Sequence, residues 1–97
     1  MARGPDWVNS ATKPVLRLLA DHGLALSGKS IVYNLNKELQ RPPSRATVMR
    51  ALSGAMDVGL IHQPEGALYE ITDRGREYVE GNLDADQVVE LAKTDED

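Results

Sequence analysis

Residues 42 to 59 constrain this 97-residue chain more tightly than any other stretch: Pro42-Pro43-Ser44-Arg45-Ala46-Thr47-Val48-Met49-Arg50-Ala51-Leu52-Ser53-Gly54-Ala55-Met56-Asp57-Val58-Gly59. Two prolines block a helix before it, and Ser44 is a good N-cap, because its hydroxyl can accept from the free N–H of Thr47. Val48, Leu52, Ala55 and Met56 recur at i, i+4, i+7 and i+8 and make one apolar helical face. Gly59 supplies the left-handed residue that ends a helix. At about 100° per residue the opposite face carries Ala46, Thr47, Arg50 and Ser53, side chains that are small or hydrogen-bonding. A helix without bulk on its outer face can enter a groove closely, and an arginine there can reach guanine or phosphate. The stretch therefore reads as a DNA recognition helix, against the plainer alternative of an amphipathic helix with a solvated face.

Charge separates the two readings. The chain carries a net −4, unusual for a nucleic-acid binder until it is divided along the sequence. Between residues 28 and 50, Lys29, Lys37, Arg41, Arg45 and Arg50 face only Glu38, a local +4, whereas residues 51 to 97 hold Arg74, Arg76 and Lys93 against twelve acids. Such asymmetry is a better sign of nucleic-acid contact than the charge of the whole chain. Seven Arg against four Lys, with many acids, suggest a halophile's surface.

The length fits one domain with a modest aliphatic core, since Phe is absent and Trp7 is alone. No apolar run approaches the roughly 18 residues of a membrane span, and the N-terminus lacks the hydrophobic stretch of a signal peptide. Without cysteine there is no disulfide framework or thiolate metal site, which makes a cytoplasmic location the default.

Along the chain, a first helix is expected from Asn9 or Ser10, with Pro14 in its first turn, a stripe of Ala11, Val15, Leu18 and Leu19, and Gly23 at its end. Residues 24 to 26 form a minimal strand. Ser27 caps a second helix with Ile31, Val32, Leu35 and Leu39 inward and Lys29 and Lys37 outward. After Gly59 the period changes: residues 60–63 and 67–71 read as strands around Pro64-Glu65-Gly66, a hairpin signal. Thr72 caps a helix ending at Gly81, and residues 85 to 93 form a last weak helix with Val88, Val89, Leu91 and Ala92 apolar. That patch is covered either across a two-fold axis or by Trp7 of the same chain. The order is that of an α+β winged helix-turn-helix: a three-helix core, a two-stranded wing and an extra C-terminal helix. The expected organisation is an arm over 1–8, the DNA-binding domain over 9–81, the C-terminal helix over 82–93 and a disordered acidic tail over 94–97.

Thr47-Val48-Met49-Arg50-Ala51-Leu52, Gly59-Leu60-Ile61 and Tyr69-Glu70-Ile71-Thr72-Asp73-Arg74-Gly75 resemble the spine of the MarR-like and PadR-like winged-helix regulators. Tyr78-Val79-Glu80-Gly81-Asn82-Leu83-Asp84, in an acidic chain with Asp6-Trp7 near its start, is similar to the small haloarchaeal phage-repressor-like proteins. The resemblance runs from about Trp7 to Asp84. It implies a transcriptional regulator, a repressor in character, that binds double-stranded DNA with its third helix in the major groove and pairs as a homodimer through terminal helices. It places the reading helix at 44–53: Arg50, Thr47 and Arg45 would read bases or clamp phosphates, Ser44, Lys29, Lys37 and Arg41 would position the backbone, and Ala46 and Ser53 would leave room. The chain departs from the pattern at the wing tip, where Pro64-Glu65-Gly66 replaces the usual Arg or Lys. A winged-helix protein-interaction module without DNA binding is the rival reading, favoured by that tip and by the net charge.

Catalytic readings fare worse. Gly23-Leu24-Ala25-Leu26-Ser27-Gly28-Lys29-Ser30 matches the phosphate-binding loop by letter, but the mechanism needs a buried strand before it, and a helix is expected there. Leu24 and Leu26 look like core anchors instead. His22 and His62 are not placed together and lack a cysteine partner, so no metal or other cofactor is expected. No nucleophile elbow occurs, and the chain does not read as an enzyme.

Overall fold

Hydroxyl side chains start three helices. Ser27 accepts from the Ser30 N–H at 3.1 Å, Ser44 from Thr47 at 3.2 Å and Thr72 from Gly75 at 3.1 Å, each satisfying a donor that the first helical turn leaves free. The computed structural model describes residues 7–95. Its elements are α1 (Thr12–His22), β1 (Leu26–Ser27), α2 (Gly28–Glu38), α3 (Arg45–Asp57), β2 (Ile61–His62), β3 (Leu68–Ile71), α4 (Asp73–Val79) and α5 (Ala85–Asp95). The described residues thus form an α+β fold of five helices and a three-stranded antiparallel sheet in the order β1-β3-β2.

α1 begins later than Asn9 or Ser10. The Asn9 carboxamide oxygen accepts from Ala11 N–H at 2.8 Å, and Asn9 N–H donates to the Thr12 hydroxyl at 2.9 Å. These local bonds hold residues 9 to 11 in a turn that competes with helix. Leu16 joins the expected stripe and is fully buried, because α1 is packed by α2, α3, α4 and β3 and so is covered around more of its circumference than a surface helix. Leu19, Ile31, Leu52, Leu60 and Ile61 are the other large side chains fully buried in the core. Leu24 is not an anchor: it is 63% exposed. Strand pairing starts only at Leu26, opposite Tyr69, so nothing holds Leu24 inward.

α3 closes on Gly59, whose φ of 80° frees two bonds back into the helix, Gly59 N–H to Met56 O at 3.1 Å and Leu60 N–H to Ala55 O at 2.9 Å. The chain then enters the hairpin in the register Ile61↔Ile71 and His62↔Glu70. The isoleucines are buried. On the other face His62 Nε2 and Glu70 Oε1 meet at 2.7 Å, half in solvent. Residues 63–67 at the tip are exposed.

The acidic C-terminal part forms a capped helix. Asp84 and Gln87 form a reciprocal box, Gln87 N–H to the Asp84 carboxylate at 2.8 Å and Asp84 N–H to the Gln87 carboxamide at 2.9 Å. Val88 is fully buried in its own chain, Val89 and Ala92 partly so, while Leu91 stays 38% exposed. Trp7 lies 5.5 Å from Tyr78, ring to ring, and burial raises the pKa of the Tyr78 hydroxyl. Most of the apolar patch is therefore covered within the chain. Thr94 and Asp95 belong to α5 rather than to a disordered tail, the Thr94 hydroxyl donating to Glu90 O at 3.1 Å. Glu96, Asp97 and residues 1 to 6 of the expected arm lie outside the described residues.

Candidate nucleic-acid interface

α3 is clamped on three sides, which leaves its fourth side free. Val48, Ala51, Leu52 and Ala55 face the core. On one flank a Cβ at Gly54 would lie only 2.7 Å from the Trp7 carbonyl, so the N-terminal segment presses against bare helix backbone. On the same flank the Asn9 carboxamide donates to the Thr47 carbonyl at 3.1 Å. On the other flank Met49 lies over Gly28, the first residue of α2.

Between the flanks, Ala46, Arg50, Ser53 and Asp57 are exposed, as are Arg45 at the helix start and, in part, Met49 on its flank. Ala46, Arg50 and Ser53 thus stand where the helical period put them. Thr47 does not share their freedom. It is half-buried, and its hydroxyl is 2.9 Å from Ser44 Oγ, so the two hydroxyls are engaged with each other at the helix cap. Removing the cap has a measurable cost: Ser44→Ala should destabilise the protein by about 1 kcal/mol, and a thermal melt unchanged from wild type would show that the cap contributes nothing.

The cations gather around this face unevenly. Lys29 follows the glycine that Met49 covers, so it sits beside α3. Arg41 lies in the turn between α2 and α3, and Arg45 begins α3. Lys29, Arg41, Arg45 and Arg50 are exposed and form no ion pair among the described residues. Lys37 stands two turns along α2 from Lys29, about 12 Å by helix rise, with its ammonium 5.5 Å from the Tyr33 ring centroid.

Two residues escaped the sequence reading. Tyr33 is 61% exposed, and the spacing of Lys29, Tyr33 and Lys37 at i, i+4 and i+8 is the signal that marks one outward stripe. Asp57 ends the outer face of α3 and, with Trp7, Arg50, Ser53 and Gly54, lines a shallow hollow. Its charge would repel a phosphate placed at that end of the helix.

The loop-like match over residues 23–30 has the wrong surroundings: Gly23 closes α1, and Ser27 caps α2, so a helix precedes it. His22 is in the last turn of α1, and His62 is on β2. Among the described residues no three His, Cys, Asp or Glu are grouped to hold a metal ion, and no helix is long and apolar enough to cross a membrane.

No protein-family model matches the chain, and no curated protein matches it in sequence. Among solved structures it is similar to the PhiH1 repressor-like protein from Haloarcula marismortui, with a TM-score of 0.66 and 25% identity over 88% of this chain and 91% of that one. That likeness supports a repressor-like fold and, at the general level, a DNA-binding regulator.

Proposed function

We propose that this chain is a sequence-specific transcriptional repressor of the winged helix-turn-helix kind, in the manner of the MarR-like and PadR-like regulators. α1 to α3 are its helical core, α3 enters the major groove, and the β2–β3 hairpin is its wing. The domain spans residues 9–81, with α5 as an added C-terminal helix, and it acts in the cytoplasm. Two copies on a two-fold axis would bring two reading helices to half-sites about one DNA turn apart. The observation that carries the reading is the outer face of α3, where Ala46, Arg50 and Ser53 are exposed together and Arg50 has no ion-pair partner among the described residues. Lys29, Lys37, Arg41, Ser44 and Arg45 would hold phosphates, and Thr47 would add a base or phosphate contact through its remaining hydrogen-bonding capacity.

Selection of bound duplexes from random DNA should enrich one motif, and recovery of unrelated sequences would end the proposal. Four phosphates neutralised by the basic groups of one subunit give a log–log salt slope of about −4. In molar salt the Debye length falls to about 3 Å, so recognition there rests on short-range contacts. Glu65 at the exposed hairpin tip, where a cation would serve DNA better, favours a second reading as a protein-interaction module. A salt slope near zero is its expected signature.

A further inference from the structure

We infer that the DNA site of this protein contains a thymine whose 5-methyl group is read by Met49, with Ala46 beside it, close to the base pair read by Arg50. The inference rests on the proposed binding of DNA through α3 and adds the chemistry of one base.

Met49, on the flank of α3 that meets α2, is the only large hydrophobic side chain of α3 exposed among the described residues, at 38%. It is held in place: a Cβ built on Gly28 would lie 3.3 Å from the Met49 sulfur and 3.5 Å from its terminal methyl, with Tyr69 Cε2 at 3.7 Å. The thioether therefore lies across bare backbone at the α2–α3 junction, and the Tyr69 ring approaches the same glycine. That restrains a side chain which would otherwise be mobile. Ala46, one turn earlier at i−3, is about 4.5 Å away along the axis, and Arg50 follows Met49 directly. This places an apolar surface on the same turn of α3 as a guanidinium with no ion-pair partner among the described residues. In the major groove the thymine methyl is the one apolar group a base presents, while guanine offers the two acceptors that suit arginine. A rise of 3.4 Å per base pair puts the two contacts within one or two steps of each other.

The test uses the full chain and the duplex recovered by selection from random DNA. Each thymine is replaced in turn by deoxyuridine, which removes the methyl and leaves pairing and groove hydrogen bonds intact. Binding is followed by fluorescence anisotropy. Wild type should lose about four-fold in affinity at one thymine, the worth of one buried methyl group. Met49→Ala should bind the thymine and uracil duplexes alike, and Met49→Leu should keep the preference. If Met49→Ala does not fold, as judged by circular dichroism, Met49→Gln takes its place, retaining length without the apolar end. Specific binding in which every uracil duplex stays within two-fold of its parent overturns the inference and leaves the DNA reading standing. So does an unchanged thymine preference in the Met49 variants, or a selected site without thymine. Absence of any sequence-specific binding removes both.

Discussion

Gly75→Ala should lower the melting temperature by on the order of 15 °C. A Cβ at Gly75 would collide with the Leu60 carbonyl oxygen and lie 2.6 Å from Ile71 Cγ1. The first of these is backbone, and it cannot turn aside as a side chain would. Leu60 O already accepts from Thr72 N–H at 3.0 Å, and Gly75 N–H donates to the Thr72 hydroxyl at 3.1 Å. The same hydroxyl donates to Gly59 O at 2.7 Å. Moving α4 outward to admit one methyl group therefore disturbs the helix cap and both links between α4 and the entrance of the hairpin. Overpacking against a rigid neighbour costs about 3 kcal/mol, and in a domain of this size each kcal/mol is about 4–8 °C. Gly66→Ala is the contrast. Its φ is 53°, unlike that of Gly75, yet nothing lies within 4 Å of its Cβ, so only backbone strain of about 1 kcal/mol is added. A Gly75→Ala protein melting within about 3 °C of wild type would show that α4 rides on the hairpin loosely.

What could be read from the sequence was what local chemistry decides. Ser27, Ser44 and Thr72 announced helix starts because each competes for free N–H groups within its own turn. The change from helical to alternating period after Gly59 marked the hairpin, and Ala46, Arg50 and Ser53 followed from the helical angle alone. What was hidden depends on distant neighbours. Asn9 bonds to Thr47 across 38 positions, and Trp7 lies against Gly54; no periodicity reports such pairs. The same is true of Met49. Its place between the two helical faces gave no reason to prefer groove or core; Gly28 beneath it does. Leu24 failed as a core anchor because hydrophobicity says that a residue would gain from burial, not that a partner is within reach. Of the candidate interface, exposure and helix position were legible, whereas the partial engagement of Thr47 and the acid at Asp57 became apparent only once α3 was set in its surroundings.

Arg50→Ala is the variant with the largest expected effect on binding. Arg50 is exposed at the middle of the outer face, between Ala46 and Ser53, and it has no ion-pair partner among the described residues to compete with DNA. If the guanidinium makes a bidentate contact to guanine, its loss should cost about 1–3 kcal/mol on the best site and relax preference at one base pair. If it holds a phosphate instead, binding should weaken evenly across sequences, with the salt slope falling in magnitude by about 1. Folding stability should change by less than about 0.5 kcal/mol in either case, since the side chain takes no part in the core or in a cap. Lys93→Ala is the control. Lys93 is in α5 and, among the described residues, pairs only with Glu90, at 3.6 Å, where both side chains are largely in solvent, so its loss should leave both binding and the melting curve unchanged. Anisotropy titrations of the two variants against the selected duplex, at two salt concentrations, separate these outcomes. Wild-type affinity in Arg50→Ala together with weakened binding in Lys93→Ala would move the DNA-reading surface from α3 to the acidic end of the molecule, against the charge distribution of the whole chain.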